Sequence, residues 1–371
     1  MKFYLMYQLI PFLFTQPNIK NKYGLITSIM LNKSNYKIIL KNNIVIKMPR
    51  SAFTTLYNLL CILRQCVYHN VTKDGTMVVS FDFINKFDFN LKNLTVEDKN
   101  LIDVLSLGHL FGANFITPED TNTIQTTKTL KIFEKDGKKI LETNNGVMYF
   151  IENLVSGIVE AFIMNIHKMN DDEDWKGKTV VDVGASMGDT PLYYASMGAK
   201  VYAFEISESI YNNMLENIEL NPQYKNQITP VNAAIGKDGM VTYFSETETL
   251  QYDLHDGATL FSSRFTDGIK PKEVKVQGYT LESVYKKWKI ENIDLLKMDC
   301  KGCEFLLSEN DLKNVKALKI EYMKLEDEHK IKNLLKMLES NGYKYRLFKH
   351  TPLEIKSFNI AGNIYAEKIV N

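Results

Sequence analysis

The sequence has few cysteines, and they are clustered. Cys61, Cys66, Cys300 and Cys303 are the only four among 371 residues, which excludes a disulfide framework for a chain of this length. We expect all four to be free thiols, as is typical of a reducing compartment, and this favours a cytoplasmic protein.

Net charge and long hydrophobic runs are also lacking. Lys and Arg number 45 against 44 for Asp and Glu, a net charge of +1, so the chain has no global electrostatic footprint for nucleic acid or an anionic membrane. The stretch from Phe3 to Phe14 is broken by Gln8 and Pro11 and is shorter than the ~20 apolar residues that span a bilayer. We expect no nucleic-acid partner, no membrane span and no targeting segment, and we interpret this stretch as a buried strand rather than an interfacial anchor.

The hydrophobic fraction is 45% and the charged fraction 24%, as in soluble globular domains. The alternation in YKIILKNNIVIKM predicts a hairpin, and a helical apolar stripe follows Ser51. These patterns predict an N-terminal α+β domain over residues 1–116. The polar segment 117–128 has too little apolar surface to bury itself and predicts a linker.

The remaining chain, residues 129–371, predicts a second domain. Asp136-Gly137 and Asn145-Gly146 lie between short apolar runs and indicate two hairpin turns in a β meander over 129–152. A helix with one apolar face follows, at about 154–166. From Lys178 the pattern becomes strand, turn, helix, repeated, with largely apolar strands such as TVVDV and IDLLKM. This is typical of a doubly wound, mostly parallel α/β sheet, which we predict for the core over 153–371.

The first strand of this core runs directly into a glycine-marked turn. Asp182, Gly184 and Gly188 lie in VVDVGASMGDT, and Glu205 ends the next strand 23 positions after Asp182. The glycines allow the backbone to approach a ligand closely, and an acid about 20 residues on can take both ribose hydroxyls of an adenosine. The pattern predicts an adenosine cofactor at the carboxyl ends of these strands.

The spacing of the turn favours S-adenosylmethionine over a nicotinamide dinucleotide. A dinucleotide site has G-x-G-x-x-G, whereas this turn reads D-x-G-x-x-x-G with a carboxylate at its entrance. That carboxylate would repel a pyrophosphate, but it suits a cofactor bearing an amino acid and a sulfonium. Ala185 belongs to the same turn. Asn232 and Ala233, after the third strand, are placed to approach the adenine.

Four segments in order resemble the FkbM family of class I S-adenosylmethionine-dependent methyltransferases, over roughly Lys178 to Tyr322. They are VVDVGASMGDTPLYYASMGAKVYAFE, LENIELN, VNAAIGKDG and IDLLKMDCKGCEFLL. The family's D-x-E-G-x-E element is similar to Asp299-Cys300-Lys301-Gly302-Cys303-Glu304, where Lys301 replaces an acid. The resemblance implies methyl transfer to a hydroxyl of a sugar, glycan or small natural product.

Three residues are candidates for the catalytic work. Asp299 would end the fourth core strand and is the first candidate for the base that takes the hydroxyl proton. Glu304 either holds the acceptor or is a first-turn acid favoured by the helix dipole. His255, in a loop that could cover the acceptor, ranks third. We expect no metal: Cys300 and Cys303 are spaced like half of a zinc site, but two further ligands would be needed.

Three alternative functions remain open at this point. The first is a module that binds S-adenosylmethionine without turnover. An RNA methyltransferase and an NAD-dependent oxidoreductase are less favoured, by the small net charge and by the missing third glycine.

Overall fold

The structure is a computed structural model of the 371-residue chain. It describes much of residues 19–105, residues 130–169 with short gaps, and residues 174–245, 258–264, 271–348 and 361–369. The predicted strand at Phe3 to Phe14, the predicted linker 117–128 and His255 lie outside the described residues. The predicted domain boundaries therefore stay predictions.

The described residues of the N-terminal part include a short helix and two small antiparallel sheets. Helix α1 (Lys22–Met30) precedes the hairpin β1 (Asn35–Ile39) and β2 (Val45–Pro49), and β3 (Tyr68–Val71), β4 (Thr76–Ser80) and β5 (Phe87–Asn90) form a three-stranded sheet. The hairpin predicted from alternation is confirmed, with Tyr36 opposite Met48. Farther on, the backbone N–H of Thr95 donates to the Asp98 carboxylate and that of Asp98 to the Thr95 hydroxyl, which is a reciprocal helix cap.

The predicted meander is confirmed. Strands β6 (Leu130–Lys135), β7 (Lys138–Thr143) and β8 (Met148–Phe150) pair antiparallel in that order. Asp136 and Gly137 have φ of 53° and 75°, the left-handed pair that a tight two-residue hairpin requires. The predicted helix that follows begins as α2 (Val155–Ile158) and continues as a π-helix over Val159–Ile163.

A seven-stranded sheet forms the core of the C-terminal part. Its strands, in chain order, are β9 (Thr179–Val183), β10 (Lys200–Glu205), β11 (Ile228–Asn232), β15 (Ile293–Met298), β16 (Val315–Met323), β17 (Tyr343–Phe348) and β18 (Ala361–Lys368). Their spatial order is β11-β10-β9-β15-β16-β18-β17, and β18 runs antiparallel to both neighbours. The predicted doubly wound, mostly parallel α/β sheet is confirmed. Strand order reverses between β9 and β15, so the carboxyl ends of these strands border the crevice where such folds bind ligands.

Helices cover both faces of this sheet. They are α3 (Asp189–Ser196), α4 (Glu208–Glu219), α5 (Leu281–Trp288) and α6 (Ile331–Ser340). Residues of α3 and α4 join the core on one face, with Val180 and Leu295, and residues of α5 and α6 join the core on the other, with Val181 and Leu296. Alternate side chains of β9 and β15 thus pack into two separate apolar layers, one on each face of the sheet.

A second, three-stranded sheet lies between β11 and β15 along the chain, and it was not predicted. It consists of β12 (Ala234–Ile235), β13 (Gly239–Ser245) and β14 (Lys272–Tyr279), in the order β12-β14-β13. Strand β14 leads directly into α5, whose first turn is capped by the Thr280 hydroxyl accepting from the backbone N–H of Ser283.

A row of polar side chains crosses the middle of the seven-stranded sheet on the face that α3 and α4 cover. In register, Asp182 lies opposite Lys297, Lys297 opposite Lys319, and Lys319 opposite Tyr365. All four are buried. The Lys319 ammonium lies 2.6 Å from Nδ1 of His167, and the Tyr365 hydroxyl donates to the carbonyl of Ile166. The segment after the π-helix therefore covers this row.

None of the helices in the described part of the chain has the length and hydropathy of a membrane-spanning segment.

Candidate functional site at the carboxyl ends of the core strands

The turn after β9 is built around left-handed residues. Gly184, Ser186 and Gly188 have φ of 78°, 48° and 88°. The backbone N–H groups of Gly184 and Ala185 both donate to the carbonyl of Phe204, which ties the turn to β10. A Cβ on Gly184 would lie 2.1 Å from the carbonyl oxygen of Asp299. Only glycine allows this close approach between the turn and the end of β15.

Asp182 lies beneath this turn and is fully buried. One carboxylate oxygen accepts from the Thr190 hydroxyl at 2.5 Å, and the other lies 3.0 Å from the Lys297 ammonium. Burial raises the pKa of Asp182, while Lys297 opposes that rise. With both oxygens engaged inside the protein, Asp182 supports the turn from below.

Lys297 is the counter-ion that the sequence analysis missed. Its ammonium also donates to the carbonyl of Gly184 at 3.0 Å. Burial acts to lower the pKa of Lys297, but Asp182 and the neighbouring aspartates raise it overall. A signal for this pair was present, since a lysine inside the apolar run IDLLKM and an aspartate inside TVVDV are rarely buried unless they are paired.

Glu205 joins the turn to the end of β10. Its Oε2 accepts from the backbone N–H of Ser186 and its Oε1 from that of Ser207, both at 2.9 Å. Each carboxylate oxygen can accept a second hydrogen bond. Glu205 can therefore also receive hydroxyl groups of a ligand.

Asn232 and Ala233 follow β11 at the same edge of the sheet. The Asn232 amide donates to the carbonyls of Glu205 and Ile206, and the backbone N–H of Ala233 donates to that of Glu205. These bonds fix the chain immediately after Glu205. The predicted cofactor residues are thus brought together at the ends of three adjacent strands.

Asp189, at the start of α3, is a second residue that the sequence analysis missed. Its side chain is buried, and within the described residues its Oδ1 has no hydrogen-bond partner. Burial raises its pKa to about 6, with Lys297 opposing the rise. An unpartnered buried acceptor beside the turn is a polar group still available to a ligand.

The candidate base Asp299 is one third exposed and follows the end of β15. Its backbone N–H donates to the carbonyl of Val183, which places it next to the turn. The Lys301 ammonium lies 2.5 Å from Oδ1 of Asp299 and 2.6 Å from Oε1 of Glu321 on β16. Burial acts to lower the pKa of Lys301, but these two carboxylates raise it overall. Lys301 thus bridges two carboxylates at the mouth of the crevice.

Glu304 has a different environment. Its side chain is fully buried in a 3₁₀ turn over Cys303–Leu306. One oxygen accepts from the backbone N–H of Gly302 and the other from that of Met323, each at 2.8 Å. Burial raises its pKa to about 7 despite these bonds. The contacts tie the loop after β15 to the end of β16, and the predicted acceptor-binding role of Glu304 stays a prediction.

The expectation of four free thiols is wrong for two of them. Cys300 and Cys303 form a disulfide with their Cα atoms 5.5 Å apart. Lys301 and Gly302 between them have φ of 52° and 112°, and this left-handed turn brings the two sulfurs together. Spacing along the chain does not reveal such a turn. Cys61 and Cys66 lie outside the described residues.

The arrangement fits S-adenosylmethionine by its donor and acceptor groups. Glu205 can hold ribose hydroxyls, and the unpartnered Asp189 oxygen can accept from an ammonium. The close approach at Gly184 keeps the cofactor turn and Asp299 in contact. Cofactor and acceptor groups would therefore meet at one edge of the sheet.

Part of the chain matches a known family model. Residues 182–345 match the methyltransferase FkbM domain. A comparison with curated proteins gives no significant match.

A comparison with solved structures finds similarity to an rRNA methylase from Streptococcus thermophilus, with 13% identity over 53% of this chain and 89% of that one and a TM-score of 0.32. Magnesium protoporphyrin IX methyltransferase from Synechocystis PCC 6803, solved with bound S-adenosylmethionine, has 14% identity over 58% and 81% of the two chains and a TM-score of 0.33.

Proposed function

We propose that the protein is an S-adenosylmethionine-dependent methyltransferase that methylates a hydroxyl group of a sugar, glycan or small natural product. The match of residues 182–345 to the methyltransferase FkbM domain supports this proposal. The cofactor site lies at the ends of β9, β10 and β11, and the acceptor enters beside the end of β15.

The position of Asp299 carries the proposal of oxygen as the nucleophile. A hydroxyl acceptor must lose a proton during methyl transfer, and a positioned carboxylate can take it. Asp299 is partly exposed, and its Oδ1 is held by Lys301. This contact orients the carboxylate while leaving its other oxygen for an acceptor.

The cofactor supplies an electrophilic methyl group carried on a sulfonium. The residues of this chain do the remaining work. Glu205 and the turn with Gly184 and Gly188 orient the cofactor, and Asp189 receives its ammonium group. Asp299 receives the acceptor's proton, so most of the catalysis comes from in-line positioning and one proton transfer.

Cofactor binding is tested by thermal unfolding with S-adenosylmethionine, S-adenosylhomocysteine or NAD. At 100 times its Kd a ligand stabilises the folded state by about 2.7 kcal/mol, which corresponds to roughly 5 to 10 °C. We expect this shift with the two adenosyl ligands and not with NAD. Glu205→Gln should lose most of it, whereas Glu208→Gln, at an exposed position three residues on, should keep it.

Acceptor chemistry is tested with methyl-labelled cofactor and three pools: sugars and oligosaccharides, small hydroxylated compounds, and structured RNA. We expect label in one of the first two pools and its loss in Asp299→Asn. The matched control is Asp294→Asn, at the other end of β15 and likewise paired with a lysine, Lys316, at 2.7 Å. Label in RNA alone would favour an RNA methyltransferase, and cofactor binding without transfer to any pool would favour a non-catalytic module.

A further inference from the structure

The disulfide between Cys300 and Cys303 lies in the wall of the site and is not used by the proposed methyl transfer. It spans Lys301 and Gly302, so the ring that it closes contains the residue that holds Asp299. A Cβ on Gly302 would lie 2.7 Å from the ring of Phe261, which shows that the loop is packed closely from outside.

The two sulfurs differ in access. Cys303 is only 4% exposed, whereas Cys300 is partly exposed. In thiol–disulfide exchange, an incoming thiolate must approach one sulfur directly, and the other sulfur leaves. The exposure therefore selects Cys300 as the sulfur that is attacked and Cys303 as the one that leaves.

A buried carboxyl accompanies the pair. Oε2 of Glu304 lies 3.5 Å from Sγ of Cys300, and one oxygen of Glu304 and both sulfurs lie within 4.8 Å of one another. Among the residues that the structure describes, the charged group that acts on this carboxyl is Lys301, whose ammonium contacts Asp299 and Glu321. Because burial raises the pKa of Glu304 to about 7, its carboxyl can give and take a proton near neutral pH.

We propose that Cys300 and Cys303 form a thiol–disulfide exchange site that reacts with small thiols and disulfides of the glutathione type, with Glu304 as its proton partner. This chemistry is additional to methyl transfer and does not depend on it.

Reduction proceeds in two balanced steps. A small-molecule thiolate bonds to Sγ of Cys300, the Cys300–Cys303 bond breaks, and Sγ of Cys303 leaves with the electron pair and is protonated from solvent. A second thiolate then bonds to the small molecule's sulfur in the mixed disulfide and releases Sγ of Cys300, which takes a proton from Glu304, whose Oε2 lies 3.5 Å from it. The protein gains two electrons, and the two small thiols become one disulfide.

The first test equilibrates the folded full-length chain with mixtures of reduced and oxidised dithiothreitol. After acid quenching and alkylation, mass spectrometry of the peptide with Cys300 and Cys303 gives the fraction oxidised. We expect both residues to change together, and each tenfold change in the dithiothreitol ratio should change the ratio of disulfide to dithiol tenfold. Thiols that stay reduced at every ratio, or a disulfide that opens only after denaturation, would overturn the proposal.

Three variants test the roles of the individual residues, each first checked for folding by circular dichroism. With oxidised glutathione, Cys303→Ser should form a mixed disulfide at Cys300, and Cys300→Ser should form one at Cys303 at least tenfold more slowly. Equal rates would contradict the assignment of the attacked sulfur. Glu304→Gln should slow reduction of the disulfide at pH 7 at least tenfold, and an unchanged rate would remove Glu304 from the step.

Discussion

Replacing Gly184 by alanine should be far more damaging than replacing a glycine that has the same backbone conformation but open surroundings. Gly184 has φ of 78°, and a Cβ there would lie 2.1 Å from the carbonyl oxygen of Asp299. The left-handed conformation costs an L-residue about 1 to 2 kcal/mol. The overlap with backbone adds about 1 to 3 kcal/mol, because the end of β15 must move. Gly184→Ala should therefore lower the free energy of unfolding by about 2 to 5 kcal/mol.

Gly146→Ala is the matched control. Gly146 has φ of 74°, and nothing lies within 4 Å of its Cβ position. This variant should lose only the conformational part, about 1 to 2 kcal/mol. The difference between the two variants isolates the contact between the turn and Asp299.

Urea unfolding monitored by circular dichroism gives both free energies, and thermal unfolding with S-adenosylmethionine reports the site. We expect Gly184→Ala to lose the cofactor-induced shift in melting temperature, because the added methyl group forces the turn and Asp299 apart. Gly146→Ala should retain this shift. Equal losses of stability together with an unchanged shift in both variants would refute the reasoning.

Two further predictions concern the buried polar row. Lys297→Met leaves the fully buried Asp182 without its counter-ion and should lower the free energy of unfolding in urea by about 3 to 5 kcal/mol. Adding Asp182→Asn should recover part of this loss. A loss below about 1 kcal/mol would contradict the ion pair. Burial, and then Lys297, lowers the pKa of Lys319 from 10.5 to about 8. Between these values the folded protein binds fewer protons than the unfolded chain, so the stability of the wild type relative to Lys319→Met should rise by about 3 kcal/mol from pH 8 to 10.5. Lys316→Met, at an exposed lysine of the same strand, should show no such rise.

The core sheet could be predicted because several signals agree along the same segment. Six of its seven strands were predicted from apolar runs separated by helical patterns. The turn at Asp136-Gly137, in the meander, was predicted because glycine readily adopts the left-handed conformation that a short hairpin needs. The last strand, AGNIYAEK, was missed because its small and polar residues resemble those of a loop. Its strand conformation is stabilised by backbone pairing with β16 on one side and β17 on the other.

The cofactor side was easier to predict than the acceptor side. Gly184, Gly188 and Glu205 follow from spacing, because a strand end and a tight turn fix where they lie. On the acceptor side, the bridge from Lys301 to Asp299 and Glu321 depends on how β15 and β16 pack together. The disulfide depends on the left-handed loop between its cysteines. Neither leaves a periodic pattern in the chain. Asp189 was missed because a first-turn aspartate usually reads as a helix cap.

The polar row across the sheet also limits how its strands can pair. A strand displaced by two residues keeps every side chain on its original face, so Val, Ile and Leu alone would tolerate such a slip. If β15 slipped in one direction against β9, Asp182 would face Asp299, and in the other direction it would face Leu295. Only the observed alignment gives Asp182 a cation, so one buried pair selects a single alignment of the two central strands during folding.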